Sequence, residues 1–266
     1  MPAGVDVTLP RGLLVDGGRR RDAVLRPLAG EDEAFLLEDA EGLSPAARAT
    51  ALLARCLERL GPVEPVGADD VRALTAGDRE ALLLELRRIS FGERLECVLA
   101  CPAPECGEEL ELELRVDDLL VAPYPDEAVR AEYESAGVRF RLPVGADLEA
   151  GAGAARDGLE EGARAVFDRC VLSGEPDEGL DALLAELDPQ AEIELALACP
   201  ECGRTFTVAF DAGDFLAREV GRDRDALLRE IHLLGLHYHW PESELMAMTP
   251  RRRKRYLNHL VEALGA

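Results

Sequence analysis

Two short cysteine turns constrain this chain more than any other feature of its sequence. Residues 98–110 read VLACPAPECGEEL and residues 195–206 read LALACPECGRTF. Deleting Ala103 and Pro104 from the first reduces both to LACPECG. In each, a proline follows the first cysteine and a glycine follows the second. Such a loop turns tightly enough to aim two sulfurs at one point, because glycine accepts the positive φ that other residues resist. One loop supplies two ligands, and a structural zinc ion takes four in a tetrahedron at about 2.3 Å for sulfur. The repeat therefore predicts that Cys101, Cys106, Cys199 and Cys202 close a single structural zinc site, one per chain, with flanking strands forming the hairpins of a zinc ribbon. The four residues between Cys101 and Cys106 sit at the wide end of the usual spacing.

Other outcomes of the same pairing are a degenerate ribbon that has lost its metal, or a disulfide formed on isolation. A redox dithiol places its reactive thiol at a helix N-terminus, whereas here a strand follows each pair. Catalytic zinc needs an open coordination position. The deaminase pattern sets H-x-E ahead of P-C-x-x-C, but all four histidines, His232, His237, His239 and His259, come after both turns. The metal reads as structural. Cys97 falls opposite Leu195 in the second turn, which favours burial over a fifth ligand.

Around the turns the chain repeats itself. Residues 7–9 and 24–27 read as strands separated by a turn through Asp16, Gly17 and Gly18. Ser44 and Pro45 form a cap and first-turn pair for a helix whose apolar stripe, with Cys56 on it, keeps helical spacing to Gly61. A second helix starts at Asp69 or Thr75 and runs through Ile89. Beyond the first turn, Leu110, Leu112, Leu114 and Val116 alternate with charge, as a half-buried strand does. After a linker at 122–127 the pattern restarts. Residues 138–142 form a strand, PVGADLEA at 143–150 lies opposite PLAGEDEA at 27–34 without a gap, and Arg169 and Cys170 fall opposite Arg55 and Cys56. The helix at 180–187 matches 81–89, and the second cysteine turn follows. The fold class is α+β: two related halves, residues 1–121 and 122–216, joined by the four-cysteine element, with a helical segment at 217–266.

With 30 basic and 53 acidic residues the formal net charge is -23. That charge repels nucleic acid backbones and anionic membranes. No secretory signal opens the sequence, and no apolar run approaches the roughly 18 residues that span a bilayer. A cytoplasmic location is expected, where thiols stay reduced and seven cysteines are better explained by metal ligation or burial than by disulfides. His237, Tyr238, His239 and Trp240 read as a helix end with an inward tryptophan. The run RRRKR at 251–255 lies at a predicted helix N-terminus, capped by Thr249 and Pro250, where positive charge opposes the macrodipole. It needs an acidic compensator, either on this surface or on a partner. No nucleophile elbow, phosphate loop or HExxH motif occurs, so the sequence makes no case for an enzyme.

The phrases FRLPVGADLEA, DRCVL, AELDPQAEIELALACPECGRTF, HLLGLHYHWPESELMAM and PRRRKRYLNHL follow one another in order. In this the chain resembles the baseplate assembly proteins related to the T-even phage baseplate hub assembly chaperone, also found beside contractile injection system genes. The resemblance covers most of the chain from Val138 onward and, more loosely, the first half. It implies a non-enzymatic protein that helps build a contractile tail baseplate, with hub or spike proteins as partners, and neither nucleic-acid binding nor membrane insertion. The alternative is a zinc-ribbon regulatory or nucleic-acid-associated adaptor. A hydrolase with a catalytic metal comes third.

Overall fold

The computed structural model describes residues 3–15, 18–156, 158–176 and 179–265; the predicted turn residues Asp16 and Gly17 lie outside these. Strand β1 (Val5–Val15) pairs antiparallel with β2 (Gly18–Leu25), so both strands run well past the short predicted ones. Helix α1 (Gly30–Ala34) continues through a π-helical turn at Phe35–Asp39. Helix α2 (Pro45–Cys56) starts where predicted, with the Ser44 hydroxyl accepting from the Ala47 amide. It stops four residues early. Leu57–Leu60 is strand β3, paired to β2 with Leu57 opposite Leu25 and Leu60 opposite Ala23. Leucines three apart satisfy a helical stripe and a short twisted strand alike, and here the open edge of β2 takes them.

Helix α3 (Ala68–Arg72) and helix α4 (Ala76–Phe91) are separate, so both predicted starting points exist; Thr75 caps the second. Strands β4 (Arg94–Ala100) and β5 (Glu109–Arg115) form the first cysteine hairpin, and Val116, predicted as strand, opens the single helical turn α5 (Val116–Leu119).

The second unit follows the same order. Strands β6 (Tyr133–Ser135) and β7 (Val138–Phe140) lead to α6 (Gly145–Ala154) and α7 (Leu159–Cys170), and β8 (Val171–Ser173) completes a β6-β7-β8 sheet like β1-β2-β3. Helix α8 (Leu180–Leu187) precedes the hairpin β9 (Ile193–Ala198) and β10 (Thr205–Phe210). Helix α9 (Ala212–Gly221) then crosses back onto the first unit.

The main core lies in the first unit, where the β1-β2-β3 sheet, α2 and α4 bury Leu9, Leu25, Leu53, Leu60, Leu82 and Leu86, and α9 adds Ala212 and Leu216. A smaller cluster around Val138, Phe140 and Leu180 serves the second unit. The units meet through a backbone exchange: the Ala76 amide donates to the Pro143 carbonyl, and Gly145 donates to Leu74.

The C-terminal helices α10 (Ala226–Tyr238), α11 (Glu242–Met246) and α12 (Pro250–Leu264) form a third cluster with Trp240 stacked on Tyr238 at 4.7 Å. His239 ends α10 in the left-handed region. The compensator sought for the RRRKR run is internal for its central residue. Arg253 is buried, donating to Glu33 at 2.6 Å, to Glu230 at 2.8 Å and to the Met248 carbonyl.

Candidate metal centre and the twin clasps

Each cysteine turn sits at the tip of its hairpin. The Cys101 amide donates to Glu108 and the Cys199 amide to Arg204, closing each strand pair across the loop. Gly107 and Gly203 follow the second cysteines with φ of +63° and +72°, the reason a glycine is needed at each. Ala103, Leu110 and Phe206 pack around the sulfurs.

The four sulfurs converge from both halves. Cys101 Sγ lies 3.7 Å from Cys202 Sγ, and Cys106 Sγ lies 3.8 Å from Cys199 Sγ, each contact joining one turn to the other. All four lie within 4.8 Å of one another, and all are free thiols. A tetrahedral ion with sulfur at about 2.3 Å gives edges of about 3.8 Å. The donor set and the cross-turn distances therefore fit zinc. Amides of Cys202 and Glu201 donate to Cys199 Sγ and, against burial, bring its thiol down to about 7. The Glu108 amide pulls Cys106 the same way, but burial and the neighbouring thiols outweigh it and push that thiol up to about 12. Cys97, half-buried opposite Leu112, stands outside the group. Cys56 and Cys170 are buried at the ends of α2 and α7, and burial pushes Cys170 up to about 11.

Away from the sulfurs, the two units share a second device that single residues did not announce. Asp32 accepts from Arg26 at 2.6 and 3.1 Å, from Arg55 at 3.2 Å and from the Ala29 amide at 2.9 Å. Asp147 accepts from Arg141 at 2.5 and 3.0 Å, from Arg169 at 2.7 Å and from the Val144 amide at 3.0 Å. Both carboxylates are buried, and each ties the strand before a helix to the end of the helix after it. In the same clasp Arg26 donates its amide to Cys56, as Arg141 does to Cys170, both at 2.9 Å. Burial would raise both carboxyls, but the guanidinium and amide hydrogen bonds outweigh it and hold them below the usual 3.8.

These contacts correct the ungapped pairing of PLAGEDEA with PVGADLEA by one residue. Gly30 and Asp32 correspond to Gly145 and Asp147, because the aspartate must sit three residues past the capping amide to accept from it. A shared G-x-D was the signal available in the sequence.

A buried polar joint also links the units. The Tyr124 hydroxyl donates to Asp188 at 2.8 Å, Asp188 accepts from the Gly77 amide, and neighbouring Asp78 accepts from Arg11 and Gly12. Burial pushes Asp78 up to about 6.

Residues 19–173, more than half of the chain, match the family model described as T4 bacteriophage base plate protein. The chain belongs to this family. The matched span takes in the first unit from β2 onward, the first cysteine turn and the second unit as far as β8, so the later phrases that carried the sequence resemblance lie beyond it. No curated protein and no solved structure matches the chain. Among the described residues, no helix of this base plate family member is long and apolar enough to cross a membrane.

Proposed function

We propose that this protein is a non-enzymatic assembly component of a contractile phage-tail-like baseplate or hub, acting by binding hub or spike proteins in the cytoplasm. The observation that carries the reading is the family match over residues 19–173. The duplicated scaffold and the absence of a catalytic motif support it. Affinity capture from cells expressing the neighbouring tail genes should recover baseplate or hub proteins. Recovery of none from an assembly-competent strain would overturn it.

In the same reading Cys101, Cys106, Cys199 and Cys202 hold one structural zinc ion, which supplies a four-way anchor between the turns and no open position for chemistry. The cross-turn sulfur spacing supports this. Elemental analysis of protein purified under reducing conditions should give one zinc per chain, and metal-free native material would rule the assignment out. The chain is then organised as units 1–121 and 122–216 with a helical segment at 217–266.

A further inference from the structure

The two units treat the same helix pair differently. In the first unit α9 lies across α2 and α4. A Cβ on Gly213 would sit 3.3 Å from Leu83 and 3.7 Å from Ala49, Asp214 pairs with Arg48, and Glu219 pairs with Arg87 at 2.7 Å. Beneath it Leu53 and Leu86 are fully buried.

In the second unit the corresponding helices are α7 and α8. The Cys56–Cys170 register sets Ala163 opposite Ala49 and Phe167 opposite Leu53, and the Cys101–Cys199 register sets Asp181, Leu184 and Ala185 opposite Leu83, Leu86 and Arg87. All five of these second-unit residues line a groove of about 560 Å³. Phe167 and Leu184, which also pack on the Val138 and Phe140 cluster, are partly exposed there, where their counterparts are sealed. The place α9 fills in one unit is open in the other. The segment that would fill it by repetition is α5, which is one turn long and packs into the main core.

Charge selects the occupant. The positions that answer Asp214 and Glu219 in the first unit, Arg48 and Arg87, become Gly162 and Ala185. The apolar Leu83 becomes Asp181, and Glu192 joins it at the exposed rim, against Arg164 as the one cation among the described lining residues. A second copy of α9 would bring its carboxylates to this acidic rim. The exposed cations of α12 lie in its first turns, whereas its exposed aliphatics, Val261 and Leu264, lie in its last turn, so it does not set an apolar inner face beside cationic flanks. We propose that the α7–α8 groove is the docking site for an amphipathic helix of a partner protein, apolar on its inner face and cationic on its flanks, lying as α9 lies in the first unit. This deepens the reading of the protein as a binding component and rests on it for the partner's origin.

The probe is a stapled peptide with the sequence of α9 carrying Asp214→Lys and Glu219→Lys, compared with the unaltered stapled peptide; stapling is needed because so short a helix does not hold its shape in water. Fluorescence anisotropy with the full-length protein should show the charge-reversed peptide binding at least tenfold more tightly. Ala163→Arg, at an exposed position on the groove, should abolish that binding, while Leu228→Glu on the exposed face of α10 should not change it. Equal binding of both peptides, or binding of neither, overturns the proposal. A photo-crosslinker at Ala163, in cells making the particle, should attach to a cationic helix of a baseplate protein. Attachment to a second copy of this chain overturns the partner assignment. Peptide binding with attachment only to proteins unrelated to tails supports the groove and sinks the baseplate reading.

Discussion

The first unit is a finished core, whereas the second is the same scaffold left partly uncovered. Both hold a buried aspartate between two arginines, and both end their second helix at a buried cysteine. They differ in what lies over the helices. The first buries its floor under α9, which the second half of the chain supplies, while the second leaves Phe167 and Leu184 partly exposed. The difference teaches that duplication preserved the polar clasp that fixes strand to helix and freed one helix face from a structural task. Stability concentrates in one unit and available surface in the other.

Four experiments press on that contrast. The largest effect should come from the element both units share. Cys199→Ser, or chelation, should lower the melting temperature and raise hydrogen exchange in both hairpins together, since a structural zinc contributes on the order of 10 kcal/mol; loosening confined to β9 and β10 would mean the turns act independently. Next, Asp32→Asn should cost about 3–5 kcal/mol in denaturant unfolding, because it leaves two guanidiniums around a buried site without their counter-charge. Asp147→Asn should cost less, since Arg141 and Arg169 are 28% and 48% exposed against 12% and 41% for Arg26 and Arg55. Equal losses would show that the second unit is as tightly built as the first.

Leu86→Ala should follow at about 2–5 kcal/mol, and its counterpart Leu184→Ala at under about 1.5 kcal/mol, reflecting sealed against half-open packing. The last experiment concerns pH. Burial and the neighbouring Asp211 charge raise Glu80 to about 8, at the foot of α9. A raised carboxyl keeps a proton in the folded state that the unfolded chain releases near 4.5, so stability falls as pH rises from there through about 8. Glu80→Gln should flatten that slope in melts across the range. The clasps act oppositely: with Asp32 and Asp147 held below 3.8, their contribution is present above that pH and fades as acid protonates them.

Much of the scaffold was legible in the sequence. Ser44, Thr75 and Thr249 each cap the helix that follows, since a hydroxyl at that place answers a free amide whatever the tertiary context. The meeting of the cysteine turns was legible because four thiols in two matching loops have few other uses. The change from helix to strand at Leu57 was not, because the neighbouring β2 decides it. Nor was the clasp: Arg26 and Asp32 are ordinary charges among many, and only burial beside Arg55 makes them specific. The destination of α9 depended on which unit it covers, and local spacing is silent on that.

The sulfur contacts also set an order of events. Cys106 and Cys199 are 93 positions apart, and bringing such distant points together costs roughly 4 kcal/mol of chain entropy in ideal-polymer terms. During synthesis the first turn must leave the ribosome with its thiols unmatched, waiting while most of the second unit is translated. Oxidation or mispairing in that interval would trap a half-built molecule, so the redox state of its surroundings acts on this protein before it is complete.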